Sequence, residues 1–241
     1  MRILVVANSS SSKNLEIKKE ALQTVARSDT KVEILGLRDR EPTLPESTEY
    51  YYRRMLYVPK IVEAVRNAEK EGYDGVLLDC FLNPGLEESK EAVKIPVVGA
   101  GQASMLLAST LGRSLAVVST ISNGIIPAKD LAKLYGVHDK VVSWRSAEIP
   151  VTEMHKMSEE SITEAVFREA KEAVERDGAE VVVLGCTGIP SRVLQDRLGV
   201  PVIDSGIVGF KTAELMVDLY LNAGLTHSKK MAYSPPPEIS L

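Results

Sequence analysis

The sequence predicts an α/β protein of two pseudo-symmetric domains, each a parallel sheet flanked by helices. Three observations support this fold class. Short apolar runs rich in β-branched residues recur along the chain, amphipathic stretches of helical length separate them, and the second half repeats the pattern of the first. Strands that are apolar on both faces and alternate with helices are typical of parallel sheets covered on both sides.

Strands and helices are expected to alternate along the whole chain. The predicted strands are residues 3–7, 31–35, 75–78, 95–98, 115–119, 141–144, 181–184 and 200–203. The predicted helices are residues 15–27, 59–71, 85–93, 103–111, 127–135, 158–176, 190–198 and 207–223. The tail 233–241 contains three consecutive prolines, and we expect it to lie extended along the surface.

A shift of 106 residues aligns the two halves and superimposes the two cysteines of the chain. Under this shift Cys80 matches Cys186, and Gly72 matches Gly178. Both cysteines therefore follow the same strand of the repeated unit, and the ordered series of matches indicates a duplication.

Glycine-containing segments after the fourth and the last predicted strand are natural points for the chain to cross between domains. We therefore expect a first domain of residues 1–98 plus 206–241 and a second domain of residues 99–205. The helix at 207–223 would then pack back on the first domain.

The composition limits the classes of function. Of 241 residues, 44% are hydrophobic and 26% charged, which is ordinary globular usage, and the net charge of -4 gives no general attraction to nucleic acid or anionic lipid. The apolar run 1–7 is too short for a signal peptide and no membrane-spanning segment is apparent, so a cytoplasmic location is expected. We expect a small-molecule partner, no nucleic acid and no membrane; a homo-oligomer is left open.

The two cysteines are candidate catalytic groups. Each follows a buried strand and precedes a helix, which is where ligands bind in parallel sheets and where a helix N-terminus lowers the pKa of a thiol toward the reactive thiolate. A lone cysteine in this position is more often a small buried apolar residue, and a disulfide is a further alternative. Two thiols at equivalent places, Cys80 and Cys186, instead favour acid-base catalysis in which one takes a proton and the other delivers one to the opposite face.

Several motifs stand at the ends of the predicted strands and in one loop. They read CFLNPGL at 80–86, IPVVG at 95–99, VVST at 117–120, VLGCTG at 183–188, and PES at 45–47 followed by VPKIVEA at 58–64. Together they resemble the hydantoin racemase branch of the aspartate/glutamate/hydantoin racemase superfamily, over nearly the whole chain. The resemblance implies cofactor-independent proton transfer at a carbon next to a carbonyl, in a cleft between two α/β domains.

A set of substrate-binding residues accompanies the cysteines. The resemblance places four strand-end residues at the substrate-anchoring positions: Asn8, Ser9, Ser119 and Thr120. Phe81, Thr187 and Gly188 lie close to the cysteines, and Phe81 and Thr187 would offer backbone N–H groups. Ser47 lies in a proline-bounded loop with Tyr50 to Tyr52 that would cover the cleft. Helix capping is the alternative for Asn8, Ser9, Ser119 and Thr120.

The substrate expected from the resemblance is a 5-substituted hydantoin or an allantoin-like ring. Amino-acid racemases of the superfamily usually carry Cys-Asn-Thr where this chain has Cys80-Phe81-Leu82, and glutamate racemases carry histidine where Gly188 stands. Asn83 occupies a position where the hydantoin branch typically has aspartate, which leaves the substrate open. An amino-acid racemase, an enzyme like maleate isomerase or arylmalonate decarboxylase, and a non-enzymatic small-molecule binding module remain alternatives.

No metal or cofactor is expected. His138, His155 and His227 are scattered and lack partners at metal-ligand spacing. The segment 99–104 imitates a dinucleotide-binding fingerprint, but serine replaces its third glycine.

Overall fold

The computed structural model describes residues 1–8, 12–154, 156–189 and 191–239. The chain forms two compact units, one of Met1–Gly99 with Gly209–Leu241 and one of Ala100–Val208. Each contains a four-stranded parallel sheet flanked by helices, which confirms the predicted fold class at that level. Among the helices of the described residues, none is both long and apolar enough to cross a membrane.

The first unit is built on a sheet with the strand order β2-β1-β3-β4, in which every pair is parallel. Its strands are β1 (Arg2–Ala7), β2 (Lys31–Gly36), β3 (Gly75–Asp79) and β4 (Val97–Gly99). Its helices are α1 (Ser12–Val25), α2 (Leu37–Arg40), α3 (Tyr51–Lys70), α4 (Leu86–Ala92) and, from Gly209 onward, α10 (Ser205–Ala223).

Helices cover both faces of this sheet. On one face, Val76 and Leu78 of β3 belong to the same buried cluster as Tyr57 and Ile61 of α3. Because side chains alternate along a strand, Gly75 faces the other way. There a Cβ on Gly75 would lie 2.4 Å from a methyl carbon of Val217, so α10 packs directly against the start of β3.

The second unit repeats this topology with the strand order β6-β5-β7-β8, again all parallel. Its strands are β5 (Leu115–Ser119), β6 (Val141–Ser146), β7 (Val181–Leu184) and β8 (Val202–Ile203). Its helices are α5 (Ala100–Leu111), α6 (Ile125–Leu134), α7 (Val151–Met154), α8 (Glu159–Glu175) and α9 (Arg192–Leu198), with the start of α10.

The core of the second unit lies between its sheet and α8. Val118 and Leu184 are fully buried and cluster with Val166 and Ala170 of that helix. The side-chain oxygen of Ser158 accepts a hydrogen bond from the backbone N–H of Ser161 and caps α8. This cap explains why the predicted start of the helix lies within one residue of the observed one.

The predicted start of one helix was wrong. Proline suits the first turn of a helix, so the helix was expected to start at Pro59, yet α3 begins at Tyr51 and contains Pro59 in its interior. Tyr51 and Tyr52 accordingly lie in a helix and not in the expected loop. The lost backbone hydrogen bond is offset by burial of one helix face, on which Tyr57 and Ile61 are 0% exposed.

Two further boundaries also differ from the prediction. Helix α5 follows β4 directly at Ala100, three residues earlier than expected. The proline-rich tail is preceded by a 3-10 turn at Met231–Tyr233. That turn includes the first residue of the segment expected to be extended.

The C-terminal segment is attached to the edge strand β4 through His227. The backbone N–H of Val97 donates to Nε2 of His227 over 2.8 Å. Burial, together with the positive charges of Lys90 and Lys229, lowers the pKa of His227 from 6.5 to about 4. The imidazole is therefore neutral in the folded protein when it accepts this bond.

We expect the free energy of unfolding to fall as the pH drops from about 7 to about 4, with His227 contributing at most about 3 kcal/mol. The unfolded chain takes up the proton near pH 6.5, whereas the folded chain resists it until about pH 4. The stabilising contribution is thus complete above the unfolded pKa and lost through the folded one. Urea unfolding at pH 7, 6, 5 and 4 measures it, and His227→Gln should flatten the dependence.

His138→Gln is the matched control for this prediction, because it replaces a more exposed imidazole that lies beside Asp139. We expect it to retain the wild-type pH dependence. An unchanged dependence in His227→Gln would show that this imidazole does not couple folding to protonation.

Candidate active site

The candidate residues of the first unit lie at the C-terminal edge of its sheet. Asn8 follows β1 and Cys80 follows β3, and the pairing of Ala7 with Asp79 places the two strand ends side by side. Asn8 is 6% exposed, and its Nδ2 has no hydrogen-bond partner among the described residues. This amide is a polar group available at the strand ends.

Cys80 lies beneath a loop that connects α2 to α3. The hydroxyl oxygen of Thr48 is 3.6 Å from Sγ of Cys80, and the backbone N–H of Leu82 also bonds to this sulfur. The loop is attached to α3 by the buried Tyr57, whose hydroxyl donates to the carbonyl oxygen of Pro45. Thr48 is thereby positioned against the thiol.

The pKa of Cys80 is raised, chiefly because burial disfavours the thiolate. The negative charge of Asp79 raises it further, whereas Thr48, Leu82 and the positive charge of Arg54 oppose the rise. The expectation that a helix N-terminus makes this thiol a ready thiolate was therefore wrong. Helix α4 begins only at Leu86, six residues after Cys80.

Asp79, directly before the cysteine, is a buried anion. Its side chain is 2% exposed and receives a hydrogen bond from the ammonium group of Lys18 on α1. An unpaired charge at this depth would be costly, and the ion pair offsets that cost. The pair therefore keeps a negative charge close to the thiol.

Ser47 and Phe81 are both deeply buried. Ser47 is 1% exposed, and its hydroxyl accepts a hydrogen bond of 3.0 Å from the guanidinium of Arg53. Phe81 is 2% exposed. The sequence assigned to Phe81 a backbone N–H group that would bind the substrate, and this stays a prediction. A different backbone N–H, that of Leu82, bonds to the sulfur of Cys80.

Asn83 shapes the loop after Cys80. It adopts a left-handed backbone conformation with φ of 47°, and its N–H donates to the carbonyl oxygen of Cys80 over 3.0 Å. Its side chain lies against Gly99 so closely that a Cβ there would be 2.5 Å from Oδ1. Asn83 therefore has a structural role in the turn, because asparagine tolerates this conformation.

The second unit brings its candidate residues together at the equivalent edge. Gly185 donates to the carbonyl oxygen of Val118 over 2.8 Å, so the end of β7 lies directly against Ser119 at the end of β5. A Cβ on Gly185 would be only 3.1 Å from Cα of Ser119. This close approach places Cys186 beside Ser119.

Thr120 and Gly188 complete this edge. Thr120 is 6% exposed, and its carbonyl oxygen accepts a hydrogen bond of 2.8 Å from Ile149. The capping positions of the next helical segments are Ile121 and Gly124, so the capping alternative does not describe Ser119 or Thr120. Gly188 is exposed, and a Cβ on it would lie 3.8 Å from Sγ of Cys186.

Two candidate binding residues remain, Thr187 and Ser9. Thr187, half-buried, follows Cys186 as predicted, whereas Ser9 lies outside the described residues, as does His155. Neither Cys80 nor Cys186 forms a disulfide. In the part of the chain that the structure describes, no group of three or more His, Cys, Asp or Glu side chains could hold a metal ion.

Sequence reasoning missed three residues around Cys80. They are Thr48, Leu82 and Arg54, which bond to the thiol or act on its charge. Thr48 could have been found from the sequence, because it adjoins Ser47, which was predicted. No sequence signal pointed to Arg54, because the helix was expected to begin only at Pro59.

The chain is similar to known proteins along most of its length. The family model described as Asp/Glu/Hydantoin racemase matches residues 3–213. A hydantoin racemase of Pseudomonas sp. (strain NS671) is 35% identical over 90% of this chain and 85% of its own length. A hydantoin racemase of Paenarthrobacter aurescens is 33% identical over 99% of this chain and 98% of its own length.

Solved structures give the same relationship. The structure of an allantoin racemase from Pseudomonas fluorescens superimposes with a TM-score of 0.89, at 28% identity, over all of this chain and 99% of the other. The resemblance and the expected isomerase class are confirmed by these matches. The chain belongs to the Asp/Glu/hydantoin racemase family.

Proposed function

We propose that this protein is a cofactor-independent racemase of 5-substituted hydantoins or allantoin-like rings, with Cys80 and Cys186 as its acid-base pair. Relatives named hydantoin racemase, at 33–35% identity over most of both chains, support the substrate class. An allantoin racemase with the same fold supports a ring of this kind. The proposal concerns a carbon that is acidified by an adjacent carbonyl group.

The equivalence of the two cysteines is the observation that carries the mechanism. Each follows the third strand in sequence of its own sheet, in two sheets with the same strand order. Two thiols at matched positions suit inversion of a carbon centre, because one removes the proton from one face and the other returns a proton to the opposite face.

The protonation of Cys80 suggests which thiol acts first on one enantiomer. Because burial raises its pKa, Cys80 enters the reaction as a neutral thiol and donates a proton, while the thiolate of Cys186 removes the C5 proton. The carbanion is an enolate at this stage, and backbone N–H groups of Phe81 and Thr187 would stabilise its oxygen. The other enantiomer uses the same steps in reverse.

Replacing either cysteine tests this assignment. We expect Cys80→Ala and Cys186→Ala each to lower the racemisation rate of a chiral 5-substituted hydantoin by at least about 100-fold, because each removes one of the two proton-transfer groups. Polarimetry measures racemisation, and proton NMR in D₂O measures exchange at C5. Cys→Ser variants that exchange only one enantiomer would reveal the face that each remaining thiol serves.

Thr110→Ala, on the exposed side of α5, is the control and should keep wild-type activity. Circular dichroism checks that all variants are folded. Retained racemisation in either alanine variant would exclude the two-thiol mechanism. Release of CO₂ from an arylmalonate without racemisation would instead support a decarboxylase.

The raised pKa of Cys80 gives a second test, with the Cys186→Ala variant leaving this thiol as the only cysteine. We expect alkylation by iodoacetamide to be slower at pH 7 than that of a free cysteine peptide, and to increase until the pH exceeds the usual thiol pKa. Mass spectrometry measures the rate at each pH. A rate that is already maximal at pH 7 would contradict the raised pKa.

Thr48→Val sharpens this measurement, since it removes the hydroxyl 3.6 Å from the sulfur. Because that hydroxyl lowers the pKa of Cys80, we expect the variant's alkylation profile to shift to still higher pH. The conservative Thr48→Ser should retain the wild-type profile.

A further inference from the structure

Arg54, in the first half of α3, is a buried cation that has no anionic partner among the described residues. The residue is 9% exposed, and its Nε and Nη2 atoms have no hydrogen-bond partner among the described residues. Its guanidinium group instead stacks over the ring of Tyr51, with Cζ 4.2 Å from the ring centre. A ring face attracts a cation but leaves in-plane N–H donors unsatisfied.

Such an arrangement is unfavourable unless an anion binds. Buried charges in proteins are normally paired, and unsatisfied guanidinium donors lose their hydrogen bonds to water without replacement. The neighbouring Arg53 shows the ordinary situation, because its guanidinium donates to the hydroxyl of Ser47. Arg54 therefore has the character of a receptor for a negatively charged group.

Two features locate the expected anion. The guanidinium is near enough to Cys80 for its positive charge to favour the thiolate. It also lines a groove of about 390 Å³ between the first half of α3 and the start of α4, with Met55, Val58 and Pro84 on its walls. This volume is in the range of small-molecule sites.

We propose that Arg54 binds a carboxylate on the substituent of the substrate, so that the protein prefers ring substrates with an acidic side chain. This inference rests on the proposed function for the ring and adds the class of its substituent. The planar guanidinium, which lines the groove, matches the two oxygens of a carboxylate. The apolar walls of the groove would contact the carbon chain of the substituent.

Other groups nearby do not fulfil this role. Lys18 is already bonded to Asp79. Glu88, the acidic residue of the groove, is exposed and forms no ion pair with Arg54 within the part of the chain that the structure describes. The guanidinium therefore remains the cationic donor available to a ligand.

Binding and turnover of two ring compounds test the proposal. Hydantoin-5-acetic acid carries a carboxylate at pH 7, whereas 5-methylhydantoin is neutral. By isothermal titration calorimetry we expect the wild type to bind the acid about 10-fold to 100-fold more tightly than the neutral compound. We expect Arg54→Gln to remove this preference and Arg54→Lys to keep part of it.

Arg66→Gln is the matched control, because it makes the same substitution at an exposed position of the same helix. It should preserve the preference for the acid. Racemisation of both compounds is measured in parallel, so that a failure of the racemase proposal can be distinguished from a failure of the anion-site proposal. Tight, Arg54-dependent binding of the acid without turnover of either compound would reject the racemase function and retain the anion site.

Two results would overturn the inference. The first is a wild type that binds both compounds equally, a comparison that requires no variant to fold. The second is an Arg54→Gln variant that loses affinity for the acid and the neutral compound to the same extent, which would assign Arg54 to the fold or to the thiol alone.

Discussion

The parallel pairing of β1 with β3, repeated by β5 with β7, is the constraint on which the candidate site depends. In the first sheet it joins Ala7 to Asp79 and so sets Asn8 beside Cys80. In the second it joins Val118 to Leu184 and brings Cys186 to the strand end that carries Ser119. Because side chains alternate along a strand, a shift of one residue would turn each strand's buried set to the opposite face.

Electrostatics at Cys80 result from a balance of several groups. Desolvation and the Asp79 carboxylate favour the neutral thiol, whereas Arg54, Thr48 and the N–H of Leu82 favour the thiolate. Lys18 forms an ion pair with the Asp79 carboxylate. Desolvation is the largest of these influences, and the pKa of Cys80 is therefore raised.

The fold was predictable because its signals are local. The apolar runs of β5 and β7 were predicted at their observed bounds, and the shared order of the two sheets agrees with the repeat around the cysteines. The start of α3 was not predictable, since Pro59 is a start signal and only the tertiary burial of Tyr57 and Ile61 shows that the helix extends through it.

The two cysteines were predictable as candidate residues, but their surroundings were not. Burial of Cys80 depends on the loop that carries Thr48, and that loop is held by the bond from Tyr57 to Pro45. These contacts join residues far apart in the sequence, and no periodicity reports them. The same holds for Arg54, whose Nε and Nη2 have no hydrogen-bond partner in the part of the chain that the structure describes.

The two units share a strand order but differ in charge at corresponding positions. The position of Asp79 in the first unit corresponds to Gly185 in the second, where the absence of a side chain permits the close approach to Ser119. Cys80 therefore follows a buried anion, whereas Cys186 follows a glycine. The two strand ends offer the same geometry with unequal electrostatics.

This inequality has a defined consequence for a racemase. The two enantiomers have equal free energy in solution, so kcat/KM must be equal in the two directions whatever the acidities of the thiols. If the thiols are unequal, kcat differs between the two enantiomers, and KM must differ between them by the same factor. Under the two-thiol mechanism proposed above, the charges around Cys80 would set how kcat and KM differ between the enantiomers, while the position of equilibrium stays fixed by the substrate.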